Sequence, residues 1–297
     1  MIGVSAVGGE PDLAEWVRLR NEVDPHEAAT LEEMAEAYER SRGELLLLLA
    51  ELDGEAVGCS TVVRSESLPT SCFVLPRVVP GARRCGVGTA LLRAGSEHAR
   101  ALGCAQLASR VDGADEASWA FAASFGFVEA GRQVELVRPI GRTESPPATP
   151  RGIELSPLRP EHVEGVRVVA RQAGADMPLP QPASDELVET WVEELMSGAA
   201  AFVALRDGEV VGFAGLADRP ARGACAENNL TAVRRDFRGR GIAVGLKQAL
   251  VHWASEHDYT ELQTWTQDGN APMQAVNERV GYRPGLVSVT VRGPLLT

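Results

Sequence analysis

A strand-like run that enters an apolar helix through a basic, glycine-rich turn occurs twice in this chain, 155 positions apart. The second occurrence is Val233-Arg-Arg-Asp-Phe-Arg-Gly-Arg-Gly-Ile-Ala-Val-Gly-Leu-Lys247, and the first centres on Arg83-Arg-Cys-Gly86-Val-Gly88. Two other pairs keep nearly the same spacing: Asp53-Gly-Glu-Ala-Val-Gly58 with Asp207-Gly-Glu-Val-Val-Gly212, and Ser124-Phe-Gly-Phe127 with Arg279-Val-Gly-Tyr282. Matches at one offset specify a tandem duplication, and 297 residues suit two cores rather than one. The repeat predicts an α/β chain of two domains, 1–138 and 152–297. Residues 139–151, with four prolines among Gly, Ser and Thr and no periodicity, form the linker.

Within the first copy the pattern predicts a strand over 3–8, a helix over 12–24 capped by Asp12, and a helix from Thr30 to about 42, where Thr30 and Glu33 form a capping box. Strands over 45–52 and 56–64 are joined by Asp53-Gly54, a strong hairpin signal. A strand over 71–79 leads to the turn, followed by a helix, a strand over 106–111, a helix capped by Asp115, and a closing strand over 134–138. The second copy repeats this order, with helices over 161–175, 184–197 and 270–280 and strands over 224–233 and 262–266. Alternating strands and helices imply a mixed sheet flanked by helices.

The turn is an anion site by construction. A helix N-terminus leaves backbone N–H groups unpaired and adds partial positive charge. Spacing excludes two phosphate motifs: Val244 stands where the third glycine of G-x-G-x-x-G is needed, and no Gly-Lys-Ser/Thr occurs. The remaining pattern, Arg-x-x-Gly-x-Gly/Ala, is read as Arg238, Gly241 and Ala243, and again as Arg83, Gly86 and Gly88. It closely resembles the pyrophosphate loop of the GNAT acetyltransferases. The resemblance covers the chain outside the linker and implies two tandem GNAT-like domains, each a mixed, mostly antiparallel sheet. It implies acetyl-CoA as co-substrate, its diphosphate held by Val233, Arg238, Gly239, Arg240, Gly241 and Ala243 in the second copy. Strands on either side of the helix would splay to admit the pantetheine arm, a feature that no spacing shows. The loop connection at 177–182 (Met-Pro-Leu-Pro-Gln-Pro) corresponds to a substrate lip in the family, or is a plain proline-rich loop.

Acetyl transfer needs an oxyanion donor and a base. Ala232 to Arg234 are the expected backbone donors. On a regular strand Cys225, Glu227, Asn229, Thr231 and Val233 share one face, which predicts Asn229 and Thr231 as substrate contacts. Glu227 stands eleven residues before Arg238, similar to the catalytic glutamate of histone-acetylating members, and is the expected base, aided by burial or an intervening water. In the first copy the same count reaches Cys72, so that domain is expected to be catalytically impaired. Many family members carry a tyrosine acid four residues before the Gly-aromatic pair; here Ala122 and Asn277 stand there. The helix at 270–280 resembles a bacterial variant in which the first asparagine, here Asn270, faces the pantetheine or the substrate and the second, here Asn277, lies near the thiol, which makes both cofactor-binding candidates, although Asn270 serves equally as an N-cap.

The formal charge of −12 opposes nucleic acid as a partner and favours cationic small molecules. Five cysteines without C-x-x-C pairs predict reduced thiols, scattered histidines predict no metal, and no segment reads as a membrane span or export signal. Together with these exclusions, the resemblance implies a cytoplasmic N-acetyltransferase acting on a small-molecule primary amine by direct attack, with homodimerisation left open. A mycothiol synthase-like acyltransferase, or a non-catalytic acyl-CoA sensor or scaffold, is the alternative.

Overall fold

Local signals set most element boundaries. The computed structural model describes residues 1–41, 43–65, 70–177 and 183–296. The first half runs β1 (Ile2–Ala6), α1 (Glu10–Val23), α2 (Leu31–Arg40), β2 (Leu45–Leu52), β3 (Glu55–Arg64), β4 (Ser71–Val78), α3 (Val87–Ala101), β5 (Gln106–Asp112), α4 (Glu116–Ser124) and β6 (Val128–Pro139). The second runs β7 (Glu154–Pro157), α5 (Val163–Asp176), α6 (Asp185–Ser197), β8 (Ala200–Arg206), β9 (Glu209–Asp218), β10 (Cys225–Val233), α7 (Ile242–Glu256), β11 (Glu261–Gln267), α8 (Ala271–Val280) and β12 (Arg283–Pro294). Thr30 and Glu33 close a reciprocal capping box, and Asp115 accepts from the N–H groups of Ala117 and Ser118. Both hairpins turn through Asp-Gly pairs with positive φ, 53° and 89° at Asp53 and Gly54 and 51° and 83° at Asp207 and Gly208, as a two-residue turn between twisted strands demands. One cap differs from expectation: α1 begins at Glu10, and Asp12 instead accepts from Gly8 N–H at 2.9 Å.

The chain forms two compact units, Met1–Arg132 with Val287–Thr297, and Gln133–Leu286. In the first, strand order is β1-β2-β3-β4-β5-β12; in the second it is β7-β8-β9-β10-β11-β6. Among the described residues β4/β5 and β10/β11 pair in parallel, and the other pairings within the units are antiparallel. The units therefore divide by strand pairing rather than at the linker. The strand expected to close the first copy pairs with β11 over residues 133–139, while residues 288–294 of β12 pair with β5. Each unit completes its sheet with a strand from the other half of the sequence.

Each sheet is covered on both faces, so each unit has two apolar layers. In the second unit Leu216, Ala214, Leu246 and Leu250 pack under α7, and Phe213, Val203, Val169 and Val192 pack under α5 and α6. Residues between β6 and β7 have no helix or strand and run back over α7: Ala148 N–H donates to Gln248 Oε1 at 3.0 Å. Gly245 is required there, since a Cβ would stand 2.8 Å from the carbonyl oxygen of Ala148. Cys72 and Cys104, expected as reduced thiols, form a disulfide; packing of α3 on β4 brings them together, which no local spacing reveals. Cys59, Cys85 and Cys225 are free.

Candidate active site

After β10 the chain makes a short turn at Arg235–Phe237 and enters α7 through Gly239 and Gly241, with φ of 74° and 81°. Those angles are open to glycine and costly to other residues. Gly241 caps α7 without a side-chain cap, so the first-turn N–H groups await an acceptor. A Cβ at Gly239 or Gly241 would meet nothing within 4 Å, so the approach is open. The arginines around it hold internal partners: Arg238 Nε donates to Val233 O at 3.0 Å and its guanidinium meets Asp176 at 2.7 Å, while Arg240 donates to Asp236 O at 2.9 Å. Arg235, and after it Arg238, pull the Asp176 carboxyl down to about 2. Most of the proposed lip at 177–182 lies outside the described residues.

The first unit builds a poorer copy of this loop. Arg84 takes the position of Gly239 and is held at a φ of 65°, a strained angle for a residue with a side chain. A Cβ at Gly86 would come within 3.3 Å of Ile2 Cδ1, so this helix start is the more crowded.

Between loop and sheet, β10 carries an irregularity that the regular-strand expectation lacks. Its register against β9 shifts between Asn228 and Thr231: Asn228 pairs with Leu216 and Thr231 with Ala214, leaving Asn229 and Leu230 outside the register. One extra residue flips the parity of the remainder of the strand. Thr231 and Val233 thus join Asn228 on the face covered by α7, whereas Glu227 faces the α5 and α6 side. The expected single wall of Glu227, Asn229 and Thr231 is not formed: Thr231 is buried and accepts from Asn228 Nδ2 at 3.4 Å. Asn229 lines a small hollow with Trp191, Glu194 and Leu195. Arg234 N–H is committed to Val211 O at 2.8 Å, so it is no free oxyanion donor.

Parallel pairing of β10 with β11 ends at Glu227 and Gln263, although β10 runs on to Val233 and β11 to Gln267. Beyond that point the two strands part and leave facing edges open. Glu227 stands at the fork. Its Oε2 accepts from Gln263 Nε2 at 3.0 Å and lies 3.6 Å from Arg219 Nε. On the same face Arg222 donates to Glu135 at 3.0 Å, to Glu261 at 3.2 Å and to Gln263 Oε1. Glu135 is 2% exposed and comes from β6, the strand contributed by the first half of the sequence. Glu135→Ala is expected to cost about 1.5–3 kcal/mol in urea unfolding, because it takes one of two carboxylates from the largely buried Arg222 guanidinium and leaves it with Glu261 and Gln263. A loss below about 1 kcal/mol would mean that Gln263 and Glu261 satisfy Arg222 alone.

Residues 11–127 and 171–282 each match the acetyltransferase (GNAT) family. The chain belongs to the GNAT acetyltransferase family. An aminoglycoside N(6')-acetyltransferase type 1 of Klebsiella aerogenes is 31% identical over 132 residues, 41% of this chain and 86% of that protein. Among solved structures, a tandem GNAT protein from the clavulanic acid biosynthesis pathway aligns with a TM-score of 0.80 at 20% identity, covering 100% of this chain and 99% of that one. A GCN5-related N-acetyltransferase from Sphaerobacter thermophilus aligns at 0.77 and 19%, covering 100% and 96%. At these identities the structural likenesses establish the fold. The protein is thus an acyltransferase of tandem GNAT architecture, and the family's co-substrate is acetyl-CoA.

The two GNAT units differ most under the fork. In the second, Asn228, Lys247, Thr264, Thr266 and Asn277 are all buried. Asn277 Nδ2 donates to Thr266 Oγ1 at 3.0 Å while its Oδ1 has no partner, an acceptor left over for an arriving donor. Asn270 caps α8, accepting from Met273 N–H at 3.3 Å, the N-cap role that its position offers. In the first unit β4 has no bulge, and strand pairing puts Phe73 where Glu227 stands. Counting eleven residues to Cys72 therefore misplaces the comparison by one. The inner positions there hold Val74, Leu92, Val111 and Ala122. Among the described residues no group of three or more His, Cys, Asp or Glu is arranged to hold a metal, and no helix is long and apolar enough to cross a membrane.

Proposed function

We propose that the second unit acetylates a primary amine of a cationic small molecule by direct attack on acetyl-CoA, and that the first unit has lost turnover. The carrying observation is a carboxylate, Glu227, held at the point where β10 and β11 part. On this reading the diphosphate lies against the open amides at Gly239, Gly241 and Ala243, with Arg238 and Arg240 released from Asp176 and Asp236 to meet it. The arm follows the free edge of β10 from Val233 towards Asn228 and passes the orphan Oδ1 of Asn277. The amine approaches from the α5 and α6 side, past Asn229.

Glu227, beside Arg219 and Gln263, serves as proton acceptor through a water that its remaining lone pairs orient. The proposed donors to the developing oxyanion are backbone N–H groups at the bulge, where residues 229 and 230 leave the β9 register. A cationic acceptor agrees with the formal charge of −12 and with the amine acceptor named for the Klebsiella relative. Phe73 and the unbroken β4 support a first unit without base or bulge; Arg83, Gly86 and Gly88 would leave it at most a binding role. Thiol release over a panel of amines, aminoglycosides included, tests the assignment. Glu227→Gln should lower kcat by about 100- to 1,000-fold with KM for acetyl-CoA little changed; unaltered kcat would remove Glu227 from the chemistry.

A further inference from the structure

Lys247 is the residue in which the second unit departs furthest from the first. It lies on the inward face of α7, 2% exposed, where the repeat places Leu92 of α3, also 2% exposed. Its Nζ donates to Asn228 Oδ1 and stands 5.2 Å from the centroid of the Tyr282 ring. Asn228 in turn donates to Gly215 O at 2.8 Å, and its own carbonyl accepts from Thr264 Oγ1 at 2.8 Å. Asn228 is the first residue beyond the last β10/β11 pair, so the lysine sits behind the fork, on the side from which the cofactor arm would arrive.

No carboxylate among the described residues lies within ion-pair distance of Lys247. Towards α7, β8 and β9 present Phe202, Ala204, Ala214 and Leu216, and α8 and β11 present Asn277 and Thr264. The nearby titratable groups do not supply an anion. Burial pushes the Tyr282 hydroxyl upward and the Cys225 thiol up to about 11, and Arg138 of β6 is held by Glu144 at 2.8 Å. A buried ammonium without a counter-charge is expensive, and desolvation pulls this one down to about 7. It therefore holds a proton weakly at neutral pH. On the transfer reading above, the sulfur that leaves the acetyl carbon brings one negative charge to this side of the fork.

Resting on the transfer reading above, we propose that Lys247 is the acid of the second unit, giving its proton to the departing thiolate in the absence of a tyrosine at position 277. As the N–C bond forms, the C–S bond breaks and its electron pair goes to sulfur. The Lys247 ammonium transfers a proton to that sulfur, giving the free thiol, and Glu227 takes the proton of the attacking amine through water. Lys247 then regains a proton from solvent and Glu227 returns its own.

Coenzyme A in its free-thiol form is the probe, with binding followed by calorimetry and thiolate followed by ultraviolet difference absorbance against protein alone. Bound to the wild type, its thiol should titrate at least one pH unit below free coenzyme A. In Lys247→Met it should titrate like free coenzyme A with binding retained, and Lys247→Arg should restore the downward shift. The Leu92 precedent indicates that an apolar side chain fits here, and Lys247→Leu provides a second variant with thermal melting as the folding control. Equal titration of the bound thiol in wild type and Lys247→Met would overturn the role of Lys247 alone. Absence of coenzyme A binding to the wild type would overturn the transfer reading and this proposal with it.

Discussion

Lys247→Met should stabilise the protein at pH 6 and leave it nearly unchanged at pH 9. Most core substitutions destabilise, so the sign is informative. The lysine amine has an ordinary value of 10.5 and is pulled to about 7 by burial, so the unfolded chain binds its proton more tightly than the folded one. The resulting penalty is absent above about pH 10.5, grows as pH falls, and is fully present below about pH 7. At one pH unit per 1.36 kcal/mol it reaches about 4–5 kcal/mol at pH 6 and about 2 kcal/mol at pH 9. Against this, methionine leaves Asn228 Oδ1 without its donor, at a cost of about 1–3 kcal/mol. The balance favours the variant at acid pH and vanishes towards pH 9. Urea titrations at both pH values give the difference directly; a stability change independent of pH would mean that the lysine is hydrated or ion-paired in solution.

Gly241→Val should weaken acetyl-CoA binding by about 100-fold or more, close to 2.7 kcal/mol, while the protein remains folded. The glycine sits at a φ of 81° with nothing within 4 Å of a built Cβ. Valine is therefore penalised by backbone angle, not by a clash with the fold; the strain is about 1–2 kcal/mol. The chain can relieve it only by turning the amides away from their common direction, and the added methyl groups stand in front of them. Gly86→Val in the first unit strains the backbone in the same way at 89° but should leave the affinity untouched, because that loop is the one crowded by Ile2. Calorimetry on the two variants separates the loops. Equal loss in both would assign cofactor binding to both units.

The elements fixed by short-range chemistry were legible from sequence: the Asp-Gly hairpins, the Thr30 box, the Asp115 cap and the glycine turns all depend on residues within four positions of one another. The bulge was also written there, though less plainly. The repeat spacing is 154 between the hairpins at Asp53 and Asp207 and 155 between the loops at Arg83 and Arg238, and the inserted residue falls in β10 at the register shift. Reading β10 as regular placed Glu227 and Thr231 on one face. Comparing the copies position by position would have exposed Lys247 opposite Leu92, a lysine in an otherwise apolar helical stripe. Strand exchange left no such trace, since antiparallel pairing is specified by backbone groups and alternation that both copies share. Glu135, Arg222 and Gln263 were missed for that reason: 222 and 263 become neighbours of 135 only once β6 has joined the second sheet.

A crystal structure of the full chain with coenzyme A tests most directly where the thioester binds. The diphosphate should lie on the N–H groups that open α7 at Gly241, the arm along the free edge of β10 beyond Glu227 and Gln263, and the sulfur nearest Asn228. A coenzyme A molecule bound away from that fork, or a fork closed by continued pairing of β10 with β11, would contradict this placement.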